Sequence, residues 1–448
     1  MVAKIARLIT VIAIFLTTGL FCKSANADDI TLISDAETQN FLAAIVRPLY
    51  KSAGLSFDAD KIYIVRDNSL NAFVSDGNNM FVHTGTLIEA RNVNELSGIL
   101  AHETGHILGG HIVRQKLKLQ KMKYIMLGSM IAAGAAAVST GRGDAAMAVI
   151  LGSQNSALNS MLNYQIQEER SADESAVKLL NATGQSTQGL LNFMKKIKQK
   201  NALSGIEENS YFRTHPLTNE RISHFTEVTK NNRNPASHRL DGKFKMIKAK
   251  LAAFLLDKDK VYRLYPTGDN SAAAHYAHAI LAFRSGDITR ALHLIDGLLK
   301  EQSANPYFHE QKAQFLFESG QVKKSILSYT RALELLPDNY LLQTSLAHAI
   351  LESSPSSSEI QRAVSLLQKS LHSADTPFGW QLLARAYDMN NQPAASYYAA
   401  AEYSYAIDNL ETAQRQLKNA RKAGADKSLS LKIADLEQRV KEELKEQE

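Results

Sequence analysis

Beyond residue 22 the sequence contains no cysteine, so the chain past its leader has neither disulfides nor a thiolate metal site. It also lacks a surplus of charge of one sign. Without residues 1–27 it carries 48 basic against 45 acidic side chains, a net of about +3, which is too even to argue for nucleic acid as a partner. After the leader no apolar run reaches the ~20 residues needed to span a bilayer. Two shorter apolar stretches, Tyr124 to Val138 and Ala145 to Leu151, make residues 124–151 either a buried lid or a hairpin in peripheral contact with a membrane. The leader itself is explicit. Lys4 and Arg7 precede an apolar run from Leu8 to Phe21, and Ala25-Asn26-Ala27 is a small-x-small cleavage pattern before Asp28. Residues 1–27 therefore read as a secretory signal peptide. Phe21 is too bulky for the site that would make Cys22 a lipid anchor, and export of this kind suits a Gram-negative periplasm.

What is present centres on His102-Glu103-Thr104-Gly105-His106, an H-E-x-x-H pattern in a predicted helix. Side chains four apart share a helical face, so His102 and His106 can offer imidazole nitrogens to one tetrahedral Zn²⁺. Glu103, one step round, is placed to accept a proton from an attacking water. Asn92 with Glu95 looks like a capping box, and Leu96, Ile99, Leu100, Ile107, Leu108 and Ile112 form an apolar stripe. Position 112 is isoleucine, which rules out the metzincin third histidine. His111 lies about 140° round the helix from His106, which makes it a surface or supporting histidine rather than a ligand. Glu169, in Gln165 to Asp173, is the better third ligand, with Glu168 as its rival.

With H-E-x-x-H and the later Glu169-Arg170-Ser171-Ala172-Asp173, an E-x-x-A-D, the chain resembles the M48 family of zinc metallopeptidases. The resemblance implies an α+β zincin-like (gluzincin) fold, mostly helical with a small sheet, and one Zn²⁺ per chain. It implies Glu169 as third ligand, and Asp173 as the carboxylate that orients a histidine ligand, His102. Two further elements match. Asn71 to Val74 and Met80 to Gly85 read as strands about a turn at Asp76 to Asn79. In such peptidases an edge strand pairs with extended substrate; a plain structural hairpin is the alternative. Arg213-Thr214-His215-Pro216-Leu217 with Arg221 matches a later H-P…R element. His215 either stabilises the tetrahedral oxyanion or caps the zinc in a resting state, and Arg221 either does the former or binds a helix end.

The second half repeats. Ser285-Gly286-Asp287 recurs as Ser319-Gly320-Gln321, 34 residues on, with Ala291-Leu292 answered by Ser325-Ile326. That is the tetratricopeptide period, and it predicts an all-α solenoid that binds polypeptide. Later copies are degenerate, around Ala384 to Tyr387 and Tyr405 to Ala413, with a Ser/Pro insertion at Ser353 to Ser358. Lys432 to Glu448 reads as a polar capping helix. The expected domains are residues 28–245 as peptidase, 246–268 as linker helix and 269–448 as repeats. An exported M48 peptidase with such repeats is similar to periplasmic enzymes of outer-membrane quality control. That similarity implies misassembled outer-membrane proteins as substrates, a chaperone role in their assembly, and the barrel assembly machinery as a partner of the repeats. The competing reading is a non-proteolytic tetratricopeptide scaffold with a silent or latched peptidase domain.

Overall fold

A computed structural model describes residues 31–58, 61–121, 143–204, 211, 215–230, 234 and 239–447. The signal peptide and most of the 124–151 stretch lie outside the described residues. The described chain is mostly helical with a small sheet, and it forms two compact units. One contains the chain up to Gln39 with Lys245–Glu448; the other is Asn40–Phe244. The boundary falls inside helix α1 (Ala36–Ser52), which follows the short strand β1 (Leu32–Ile33).

In the Asn40–Phe244 unit, strands β2 (Ile62–Val65), β3 (Ala72–Ser75) and β4 (Asn79–His83) lie in the order β2-β4-β3. β4 is parallel to β2 and antiparallel to β3, with Phe73 opposite Phe81. β3 is thus an edge strand, turned back by a 3-10 turn whose Gly77 has φ 78°. Helix α2 (Thr84–Glu89) leads to α3 (Val93–Leu108), which carries the H-E-x-x-H segment. The Asn92 side chain caps α3 by accepting from the Glu95 amide at 3.1 Å, but the expected box closes one residue early: the Glu95 carboxylate accepts from the amide of Arg91, not Asn92. Helix α4 (Gly143–Ala182) carries the E-x-x-A-D segment and packs along α3, followed by α5 (Gln188–Ser204) and α6 (Asn219–Lys230). The approach of α3 to α4 depends on Gly105, where a Cβ would stand 2.6 Å from the carbonyl oxygen of Ala172. Glycine on one helix and alanine on the other let the backbones meet where the functional side chains must converge.

The linker helix expected at 246–268 is two helices: α7 (Asp241–Leu255), which begins earlier and contains the division at Phe244, and α8 (Lys258–Leu264), which lies in the other unit. Then come paired helices: α9 (Ala272–Arg284) with α10 (Ile288–Glu301), α11 (Pro306–Glu318) with α12 (Val322–Leu335), α13 (Tyr340–Leu351) with α14 (Ser357–Ser373), α15 (Pro377–Met389) with α16 (Pro393–Ala406), and α17 (Leu410–Lys422). These are tetratricopeptide-type hairpins. Gly286 (φ 80°) and Gly320 (φ 78°) supply the left-handed residue after the first helix of a pair, and the 34-residue step lands next on Ser354, which adopts φ 57° without being glycine. The Ser/Pro insertion therefore sits in a turn and leaves the register intact up to it. The last helix, α18 (Lys427–Gln447), buries Ile433, Leu436 and Val440 against α17 and α16, which suits a cap.

Candidate metal centre

Four side chains from three segments converge in the Asn40–Phe244 unit. His102 and His106 come from α3, Glu169 from α4 and His215 from the turn before α6, and all are buried. His102 Nε2 lies 3.1 Å from His106 Nε2 and 3.3 Å from His215 Nδ1. Glu169 Oε1 lies 3.2 Å from His106 Nε2 and 2.9 Å from His215 Nδ1. Nitrogen and oxygen ligands about 2.0–2.1 Å from a tetrahedral zinc stand about 3.3 Å from one another. The observed separations are close to the edges of such a tetrahedron. The donor set is borderline-hard nitrogen and oxygen, and facing acceptor atoms at this range need a shared positive charge. The residues fit a zinc-like cation.

Titration behaviour points the same way. Burial opposes charge on both imidazoles. At His102 the carboxylates of Glu169 and Asp173 overcome burial and lift the pKa to about 10; at His106 burial prevails, reinforced by His102, and the value falls to about 3. The surrounding carboxylates thus favour a positive charge at His102, beside the place a metal cation would fill. Burial resists ionisation of Glu169, yet His215 and His102 hold its carboxyl well below the usual range.

The supporting residues are equally defined. Asp173 Oδ1 stands 2.9 Å from His102 Nδ1, and burial of this acid is outweighed by Arg221 and His102, which keep its pKa low. Arg221 grips Asp173 through Nε at 2.6 Å and an outer nitrogen at 2.8 Å, reaches Glu169 Oε2 at 2.7 Å, and donates to the Pro216 carbonyl at 2.9 Å. Its guanidinium is engaged with the site's own carboxylates and with the turn carrying His215. Glu103 is fully buried, neither oxygen has a hydrogen-bond partner, and His215 Nε2 is 3.4 Å away. Burial raises the Glu103 pKa more than His215 and His102 lower it. Glu168 points elsewhere, with Oε1 3.6 Å from Arg114 Nε.

His111 corrects the helical-phase argument. α3 ends at Leu108, Gly110 turns the chain with φ 62°, and His111 returns to place its Nδ1 2.8 Å from His106 Nδ1, only 2% exposed. Of the two roles expected for it, surface or supporting, it takes the second, against a member of the donor set. Gly109 makes room for it, since a Cβ there would lie 2.2 Å from His111 Nε2. The Gly109-Gly110 pair was the available signal that the helix stops before position 111. Tyr211 was also missed. It packs with Phe193, Ile197 and Ile99 and lays its ring 4.7 Å from that of His215.

Residues 36–229 match Peptidase family M48. The chain is 23% identical over 416 residues to the "Beta-barrel assembly-enhancing protease" of Escherichia coli (strain K12), covering 86% of this chain and 81% of that one. A protein of the same name from Yersinia pestis is 24% identical, over 72% and 67% of the two chains. "Metalloprotease YcaL" of Escherichia coli (strain K12) is 29% identical over 37% of this chain and 60% of its own. Among solved structures, yeast Tom70 covers 89% of this chain and 75% of its own at 13% identity with a TM-score of 0.34. MamA from Desulfovibrio magneticus RS-1 covers 38% and 97% at 15% identity with a TM-score of 0.30.

Proposed function

We propose that this chain, a metallopeptidase with an M48 domain at residues 36–229, is a periplasmic zinc endopeptidase that cleaves misassembled outer-membrane proteins and assists the assembly of others as a chaperone. The observation that carries the peptidase reading is the buried quartet of His102, His106, Glu169 and His215 beside the Glu103 carboxylate, which accepts no hydrogen bond. His102, His106 and Glu169 would hold the metal, which when bound supplies a Lewis acid that polarises a peptide carbonyl and lowers the pKa of water. Glu103 accepts the proton of the attacking water and returns it to the departing amine. Asp173 fixes the tautomer and direction of His102, and Arg221 holds Asp173 and Glu169 in register. The edge strand β3 offers backbone groups to an extended substrate, which favours unfolded segments over any one sequence.

The outer-membrane substrate, the barrel assembly machinery as partner and the periplasmic setting are supported by the similarity to the beta-barrel assembly-enhancing proteases, which spans most of this chain, and by the leader at residues 1–27. In this reading peptide cleavage belongs to residues 28–245 and client recognition to the repeats at 269–448.

His215 favours a second, compatible reading. Its Nδ1 stands within the donor set, 2.9 Å from Glu169 and 3.3 Å from His102, where it competes with substrate and water. A resting, latched peptidase follows, with the repeats still able to hold clients. The test is cleavage of casein by the full chain with and without a chelator, next to Glu103→Gln and His215→Ala. Glu103→Gln should keep its metal by elemental analysis and lose cleavage, and His215→Ala should cleave faster. Undiminished cleavage by Glu103→Gln would sink the assignment of the base; slower cleavage by His215→Ala with metal retained would assign His215 to the oxyanion instead.

A further inference from the structure

The unit formed by the chain up to Gln39 and Lys245–Glu448 contains a cavity of about 200 Å³, bounded by the β1–α1 junction and by helices α7, α11, α12, α13 and α15. One wall is aromatic. The rings of Phe317 and His348 have centroids 4.9 Å apart, and those of His348 and Phe378 are 5.4 Å apart; Phe254 and Tyr329 continue the lining. Burial lowers the pKa of His348, so this wall is neutral near pH 7.

The floor is charged and unbalanced. Lys250 pairs with Asp35 and lies 3.6 Å from Glu37. Asp35 also accepts from the Thr38 amide at 2.7 Å, and Glu37 lies 3.2 Å from the Tyr276 hydroxyl. Glu310 also feels the charge of Lys250, yet its Oε2 is shut off from solvent and has no hydrogen-bond partner. Three carboxyl groups therefore face one ammonium, and burial pushes two of them, Glu37 and Glu310, up to about 7 for want of a second cation. Glu318 adds a further acid at the exposed rim, where Gln314 donates to it at 2.7 Å. An apolar, aromatic wall leading to an unsatisfied carboxylate is the chemistry that takes a long side chain with a cationic end: the stem covers the rings, the cation meets their faces, and the charge completes the acid.

We propose that this cavity is a binding site for a lysine or arginine side chain of a polypeptide client, with Glu310 as its charge partner and Phe317, His348 and Phe378 as its aromatic wall. The site lies among repeat helices and is built from residues that take no part in the metal centre. It deepens the client-recognition part of the function proposed above, and it can be tested without cleavage.

The experiment uses the full chain carrying Glu103→Gln, so that bound peptide is not cut. A short dye-labelled peptide with a Leu-Lys-Phe core in glycine-serine flanks is titrated by fluorescence anisotropy, next to the same peptide with norleucine in place of lysine. The lysine peptide should bind at least about tenfold more tightly, the combined effect of a cation–π contact and a charge-assisted hydrogen bond. Adding Glu310→Gln should erase that preference while leaving the norleucine peptide unchanged. Ser345→Phe, which fills the cavity from α13, should weaken the lysine peptide by a similar factor with the circular dichroism spectrum retained, and it decides the matter if Glu310→Gln does not fold. Equal binding of the two peptides, or Ser345→Phe binding lysine peptide as tightly as its parent, overturns the proposal. Casein cleavage by the chain with Glu103 intact reports separately on the peptidase, so failure of one reading is distinguishable from failure of the other.

Discussion

Replacing Arg221 with methionine tests how the centre is held together. Arg221 is 5% exposed and neutralises two carboxylates, Asp173 through two nitrogens at 2.6 and 2.8 Å and Glu169 at 2.7 Å. Methionine keeps much of the stem's volume, so the loss is one of charge and hydrogen bonds rather than packing. Asp173 and Glu169 would then face no cationic partner but the histidines of the donor set. Removing one member of a buried pair costs about 3–5 kcal/mol, because the remaining charge stays buried without a counterion. In a unit of about 200 residues each kcal/mol moves the melting temperature by about 2–4 °C, so a fall of roughly 6–20 °C is expected in the presence of chelator. Zinc should recover part of this, since a cation in the donor set compensates Glu169 but not Asp173. Arg221→Lys should fall between, because an ammonium keeps the charge and loses the two-pronged grip. Calorimetric scans of the full chain with chelator and with excess zinc measure all of this. If Arg221→Met melts within about 2 °C of the parent under both conditions, the ion pairs contribute nothing and the reasoning is wrong.

Three other outcomes follow from the same geometry. His111→Ala should weaken zinc binding about 10–100-fold in a chelator competition while the chain stays folded, because the partner that sets the His106 ring is lost; unchanged affinity would reduce His111 to packing. Gly105→Val should lower the melting temperature and zinc affinity together, since its Cβ collides with the Ala172 carbonyl and pushes Glu169 away from the histidines; zinc retained at parental affinity would refute that coupling. Away from the metal, burial raises the pKa of Glu37 from 4.5 to about 7 despite Lys250, so the folded chain keeps a proton there that the unfolded chain loses at about 4.5. That stabilisation is complete below about pH 4.5 and is lost as pH rises through about 7. Glu37→Gln imitates the protonated form, so its melting temperature should gain on the parent between about pH 5 and pH 8, and a constant difference across that range would count against it.

The parts legible in the sequence are those with a local period. The metal helix announced itself through Asn92, its apolar stripe and the four-residue step from His102 to His106, and the 34-residue step from Gly286 to Gly320 carries on to Ser354. Helical phase failed where the helix failed. His111 was placed by an angle that assumed continuity through Gly109 and Gly110, but a left-handed Gly110 reverses the chain and brings His111 back to His106. The cavity had no local sign at all. Asp35, Lys250 and Glu310 are separated by scores of residues, each reading as an ordinary exposed charge, and only tertiary folding reveals three acids facing one lysine. For the same reason no composition shift marks that residues up to Gln39 group with Lys245–Glu448: the ion pairs of Asp35 and Glu37 with Lys250 that help bind them are long-range.

The position of His215 constrains how a latched site could open. On one side its amide donates to the Tyr211 carbonyl at 2.7 Å, and the Tyr211 ring is anchored among Phe193, Ile197 and Ile99. On the other side the next residue, Pro216, is held through its carbonyl by Arg221, which is itself fixed to Asp173 and Glu169. The backbone of His215 through its amide, and that of Pro216 through its carbonyl, are therefore both tied to structure around the donor set. Pulling the whole turn away would break the Arg221 contacts and loosen Glu169, which a working peptidase needs in place. Rotation of the His215 side chain forfeits its contacts to Glu169, His102 and Glu103 and its ring contacts with Tyr211 and His106, and leaves the Arg221 clamp intact. In the proposed latch, opening by side-chain rotation would expose the donor set and release Glu103 in a single movement, because His215 Nε2 stands 3.4 Å from the Glu103 carboxylate.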